Sequence, residues 1–170
     1  MKRKSNTELR YYERQHFAAW VYLLLGAIIT GAGLSFTGMN LPEDKQVLIM
    51  VLLITGTLCA LAIAINVFRM HTELRQDSLS IHFGIFFPMI WKTIPLDDIV
   101  EIQSVTYRPL LDAGGWGWRM GRFEKTSTVF YNAKGNQGVL LITRDNHHYI
   151  IGSQEPARFE SSLRKVCNNL

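Results

Sequence analysis

The sequence has little cysteine: Cys59 and Cys167 are the two in 170 residues. So sparse a supply excludes a disulfide-built scaffold and suits a reducing compartment. Cys59 lies inside an apolar run and Cys167 near the C-terminus, so they are poorly placed to pair, and neither has metal-ligating neighbours. The spacings that carry common chemistry are missing too. No Gly-x-Ser-x-Gly, phosphate-binding loop, His-Glu-x-x-His or Gly-x-Gly-x-x-Gly falls at a usable position, and neither Ser153 nor Cys167 has a base in view. The formal charge of +4 is mild and dispersed, which excludes the electrostatic footprint of a nucleic-acid binder. The expectation is a non-enzymatic chain with no cofactor and no metal.

The most informative absence is local. Residues 17–36 (FAAWVYLLLGAIITGAGLSF) and 47–68 (VLIMVLLITGTLCALAIAINVF) contain no Asp, Glu, Lys, Arg or His. A helix rises about 1.5 Å per residue, so roughly 20 apolar residues cross the ~30 Å hydrocarbon layer of a bilayer. Lipid offers backbone amides no water to bond, and a helix satisfies them internally. The two runs are therefore expected to form a transmembrane hairpin over 17–68, closed by 37–46 with Pro42 in the turn. Buried helices of a soluble protein are seldom so uniformly apolar, and a signal peptide has a shorter apolar region and no second run. Ala27 and Gly31 in the first run, and Gly56, Ala60 and Ala64 in the second, would let helices approach closely within the hairpin or between copies. With no ionisable residue inside the runs, a proton or ion path is not expected.

Lys2, Arg3, Lys4, Arg10 and Arg14 precede the first run, Arg69 and Arg75 follow the second, and the link has Lys45 against Glu43 and Asp44. The positive-inside bias then puts both termini in the cytoplasm, with Trp20 and Tyr22 in an interfacial belt. Residues 1–16 read as a basic segment, either a short helix on anionic headgroups or a solvated topology signal.

From residue 69 the pattern turns to short alternating strands with turn signals between them: 71–75, 79–83, 90–94, 100–107, 115–119, 126–131, 139–143 and 148–151. Phe159, Leu163, Val166 and Leu170 then form one apolar stripe of a helix with Pro156 in its first turn. The expected fold of 69–170 is mainly β, a bent sheet or open barrel of about seven antiparallel strands capped by that C-terminal helix.

Phe86, Phe87 and Met89 put bulky apolar groups where a hairpin loop should be polar, and would either dip into the inner leaflet or bury in the domain's core. Trp116 and Trp118, on one face of a strand with Arg108, Arg119 and Arg122 nearby, would engage anionic headgroups or a partner's carboxylates, or simply fill core. His147 and His148 point to opposite faces of a strand with no third ligand, and Asp97-Asp98 reads as a turn and cap.

Leu79-Ser80-Ile81-His82-Phe83-Gly84 leading to Ile94-Pro95-Leu96-Asp97-Asp98-Ile99, then Gly114-Gly115-Trp116-Gly117-Trp118-Arg119, Tyr131-Asn132, Gly138-Val139 and Ile151-Gly152-Ser153-Gln154, directly after two apolar runs, resemble the bacterial pleckstrin-homology-like (bPH) membrane proteins. The resemblance implies a pleckstrin-homology roll that scaffolds binding to proteins or headgroups and no known chemistry. The basic phosphoinositide motif of eukaryotic relatives has no clear match, so no lipid specificity carries over. The expectation is a multi-pass protein of a bacterial inner membrane that presents this domain at the cytoplasmic surface. Its partners would be the bilayer, a membrane protein or further copies of itself. The alternative is an accessory or sensory subunit of a transport or envelope-maintenance complex, contacted through the hairpin, and an enzyme assembled from scattered residues comes third.

Overall fold

A computed structural model describes residues 8–17, 19–37, 43–67, 69–84 and 90–167. The chain divides into two units, one of Met1–Phe17 with Val67–Leu170 and the other of Ala18–Asn66.

The second unit holds helices α1 (Ala19–Thr37) and α2 (Glu43–Val67). Both lack interior proline, and in α1 two hydroxyls turn back onto the helix's own carbonyls, Thr30 Oγ1 to Gly26 O at 2.8 Å and Ser35 Oγ to Gly31 O at 2.9 Å. Such bonds hide polar groups that an apolar surrounding would not solvate. Among the described residues one segment, Lys45–Ala64, is long and apolar enough to cross a membrane, and almost none of it is buried. Val47, Leu48, Met50, Leu52, Ile54, Leu58 and Ile63 all lie open. Of the small residues, Ala64 is buried, while Gly31 and Gly56 are open: a methyl group added at either would meet nothing within 4 Å.

The first unit is mainly β. Strands β1 (Tyr11–His16), β2 (Arg69–Leu74), β3 (Ser78–Phe83) and β4 (Ile90–Pro95) form an antiparallel sheet in sequence order. Residues 11–16, expected to be surface helix or solvated signal, instead pair along their whole length with β2, from Tyr11 opposite Leu74 to His16 opposite Arg69. The misreading has a physical cause. The inward positions of β1 are Tyr11, Glu13 and Gln15, so its buried face is largely polar and no hydrophobic alternation betrays it.

Glu13 makes that polar face tolerable. Its carboxylate accepts hydrogen bonds from Tyr11 Oη (2.6 Å), Gln15 Nε2 (3.1 Å), Ser153 Oγ (2.6 Å) and the Gln154 amide (2.7 Å). Gln15 Nε2 also donates to Gly152 O at 2.6 Å. A half-buried carboxylate saturated with donors is retained where a bare one would be disfavoured. These bonds tie the strand that precedes α1 to the far end of the chain.

A 3-10 turn at Leu96–Asp98 leads into the second sheet, built from β5 (Ile99–Thr106), β6 (Gly117–Phe123), β7 (Thr126–Asn132), β8 (Gln137–Thr143) and β9 (His148–Gly152) in the order β5-β8-β9-β7-β6. The described residues thus contain nine strands, eight of them within 69–170, where about seven were expected, and the ninth is β1; β7 runs parallel to β9. Between β5 and β8 the chain makes a detour, a short helix α3 (Pro109–Asp112) and then β6 and β7 joined by a tight turn. Glu124 (φ 49°) and Lys125 (φ 68°) are both left-handed there, the geometry that matches hairpin twist.

Both faces of the second sheet are apolar. Ile102, Val139, Leu141 and Ile151 face inward onto Leu79, Ile81 and Phe83, while Phe130, Leu140 and Ile150 face outward beneath Tyr107 and Ala113 of the detour. Contiguous apolar runs such as Val139-Leu140-Leu141-Ile142 follow from that double burial. The detour fits closely: a Cβ at Gly121 would sit 2.0 Å from Asp112 O.

Helix α4 (Pro156–Val166) covers the inward core with Phe159 and Leu163, and Phe159 stacks on Tyr11 at 4.9 Å. Phe159, Leu163 and Val166 of the expected stripe lie on α4, and Leu170 lies outside the described residues.

Candidate membrane-facing site

Strand register decides what meets at the end of the first sheet where the chain departs for α1 and returns from α2. His16 pairs with Arg69, Arg14 with His71, and the Gly84 amide donates to Arg69 O at 2.9 Å. Arg14, His16 and Arg69 share the outward face there, the face opposite Glu13 and Gln15. The His16 pKa is pushed below its ordinary value, first by desolvation and then by the charges of Arg69 and Arg14. This corner carries its positive charge on two guanidiniums, and its imidazole stays neutral at pH 7. Guanidinium forks bind phosphate oxygens in bidentate fashion.

Beside them runs a ladder of flat rings. His71 and His82 stack at 4.9 Å with planes 2° apart, and His82 stacks on Trp91 at 5.5 Å. Tyr12 Oη lies 2.7 Å from His71 Nδ1. His71 is only 8% exposed, and desolvation followed by the neighbouring His82 brings its pKa down to about 4. Trp91 is 63% exposed at the end of the ladder, an amphipathic ring of the kind that settles at membrane interfaces.

Phe86, Phe87 and Met89 lie outside the described residues, but the positions that bracket them, Gly84 and Ile90, belong to this same end of the sheet. The other sequence candidates sit elsewhere, on the detour. Arg108 caps α3, its guanidinium 3.0 Å from Asp112 Oδ1 and its amide donating to Asp112 Oδ2 at 2.7 Å, which holds the Asp112 carboxyl below its ordinary range. Trp116 precedes β6 and does not share a strand face with Trp118, contrary to expectation. Trp118 lies opposite Tyr131, whose hydroxyl burial pushes up to about 12. Arg119 and Arg122 are exposed on opposite faces of β6, so they do not form one patch.

Comparison with protein-family models, with curated proteins and with solved structures finds no match to this chain.

Elsewhere in the β unit, an open groove of about 530 Å³ is lined by Arg10, Gln76, Ser162, Lys165 and Val166. Arg10 is 2.9 Å from Glu8, which offsets much of its charge. Among the described residues no group of three or more His, Cys, Asp or Glu is arranged to hold a metal ion. The cationic corner escaped the sequence reading because Arg14 and Arg69 are separated by more than fifty positions and meet only through pairing of β1 with β2. An alternation test that accepted Glu and Gln as inward residues would have found β1.

Proposed function

We propose that this chain is a membrane-anchored binding protein without catalytic activity, whose β unit is held against the cytoplasmic surface of a bacterial inner membrane and engages anionic headgroups there. The observation that carries the reading is an apolar helix, Lys45–Ala64, left uncovered by the chain and inserted between two paired strands whose departing ends bear Arg14, His16 and Arg69. An uncovered apolar helix loses about 25 cal/mol per Å² by standing in water, so it requires lipid or a partner. The α1 run, read as the first crossing, would complete the hairpin and keep both termini on one side.

A pleckstrin-homology-like roll is the finer reading of the β unit. It is supported by the order of β1 to β4, then β5, β8 and β9, then α4, which gives seven strands and a closing helix once the α3-β6-β7 detour is set aside. In that roll the membrane segment occupies the β1–β2 connection and residues 84–90 the β3–β4 connection, at one end of the sheet.

Reporter fusions at Leu41 and at the C-terminus test the topology: opposite compartments are expected, and the same compartment for both refutes the hairpin. Native mass spectrometry of the full chain released from membranes tests the headgroup reading. Co-purified anionic phospholipid is expected to fall at least threefold in an Arg14→Gln, Arg69→Gln double variant, and equal retention refutes it. The open flanks of Gly31 and Gly56 favour a second reading, an accessory subunit contacted through its helices, for which crosslinks from Gly56 or Ala60 to another protein would be the sign.

A further inference from the structure

Strand β6 ends the five-stranded sheet, and among the described residues no strand lies beyond it. It is not blunted by proline, and although α3 packs on one face at Gly121, Met120 is 72% and Trp118 46% exposed. Hydrogen-bond parity follows from the hairpin. Phe123 and Thr126 flank the two-residue turn, so their main-chain groups point at each other. The same parity turns Gly117, Arg119 and Gly121 toward β7, and the Gly117 amide does donate to Asn132 Oδ1 at 2.9 Å. The N–H and C=O groups of Trp118, Met120 and Arg122 therefore point away from the sheet.

We infer that β6 pairs with β6 of a second copy, antiparallel about a two-fold axis through Met120, joining two sheets into one. The residue order fits that register at the outward-pointing positions 118, 120 and 122. Trp118 meets the partner's Arg122 in a cation–π pair, and Arg119 meets the partner's Gly121. Gly117 lies opposite the partner's Phe123, and both are half-buried within their own copy, Phe123 against the outward core and Gly117 near the Phe17 ring. Met120 meets its own counterpart, and about six main-chain hydrogen bonds form from groups that otherwise face water. Shifting the axis by one residue toward the N-terminus sets Arg119 against the partner's Arg119, a like-charge contact that disfavours the slip. The charges that would blunt this edge against other strands are thus accommodated by a second copy of itself. The pairing uses only the β unit and holds whether or not the helices cross lipid.

The test uses the full chain in its native membrane with Cys59→Ala and Cys167→Ala, and a single cysteine introduced by Met120→Cys. Facing Cα atoms of such a hydrogen-bonded pair lie about 5.5 Å apart, within the span of a disulfide. Mild oxidation is expected to give at least ten times more disulfide dimer than Gln103→Cys on β5, the opposite edge of the sheet. A second variant with native cysteines, Met120→Pro, removes an N–H that points away from β7, so the fold tolerates it while the pairing does not. Native mass spectrometry is expected to show dimer for the wild type and monomer for Met120→Pro at an unchanged unfolding midpoint. Crosslinking no stronger at residue 120 than at 103, a monomeric wild type, or a dimer that survives Met120→Pro overturns the inference.

Discussion

Replacing Glu13 with alanine probes the link on which closure of the β unit depends. The carboxylate accepts from four donors, but they do not suffer equally. Gln15 Nε2 keeps Gly152 O, and the Gln154 amide is exposed enough for water to replace the lost acceptor. Tyr11 Oη and Ser153 Oγ belong to buried residues and are left short of an acceptor. A buried donor deprived of its partner costs about 1 to 2 kcal/mol, so Glu13→Ala should cost about 2 to 4 kcal/mol. Glu13→Gln keeps the shape but turns one acceptor into a donor that faces other donors, and should cost about half as much. Urea unfolding of the full chain in detergent in a Trp20→Phe background, read by the emission of Trp91, Trp116 and Trp118, measures the β unit. Hydrogen exchange supplies a second readout, with amides of β1 losing protection before those of β8. A Glu13→Ala midpoint equivalent to a loss of less than about 0.5 kcal/mol would refute the argument that these bonds hold β1 in place.

Gly121→Ala puts a methyl 2.0 Å from Asp112 O and should destabilise by about 1 to 3 kcal/mol, with α3 losing its seat on β6 and exchange at residues 108–113 rising in step; an unchanged midpoint and exchange rate would count against the fit. Because His71 titrates at about 4 when folded and near 6.5 when unfolded, the unfolded chain binds the extra proton, so stability is full above about pH 6.5 and falls toward pH 4. That loss should reach at most about 3 kcal/mol, and His71→Phe should flatten the slope between pH 6.5 and 4 in unfolding measured across that range. Ile150→Ala and Ile151→Ala face opposite sides of one sheet, both fully buried, and each should cost about 2 to 4 kcal/mol; a far smaller loss at Ile150 would mean that the outward face is not a core.

The sequence rendered β3 and β9 well because their inward residues are apolar and their ends are marked by Gly84 and Gly152. The tight turn after β6 was not legible, since Glu124 and Lys125 adopt positive φ without being glycine or asparagine. Strand β1 was lost for the opposite reason to a missed core, its buried face being polar and satisfied by residues some 140 positions away. Phe86, Phe87 and Met89 stood out in the sequence, and their brackets fall at the end of the first sheet where the chain departs for α1. Trp116, Trp118, Arg108, Arg119 and Arg122 stood out as one cluster, but pleating separates Arg119 from Arg122 and α3 takes Arg108.

Local physics determined what one stretch of chain can settle alone: that two runs without charge become helices, that one of them is apolar enough to cross lipid, and that the remainder alternates as strands before an amphipathic helix. These depend on composition and period, which are readable residue by residue. Tertiary structure decided the pairing of β1 with β2 across the whole helical segment, the parallel seat of β7 beside β9, and the gathering of Arg14, His16 and Arg69 at one corner. Such pairings depend on main-chain hydrogen bonds, which every residue but proline offers alike, so their partners are chosen by the assembled fold.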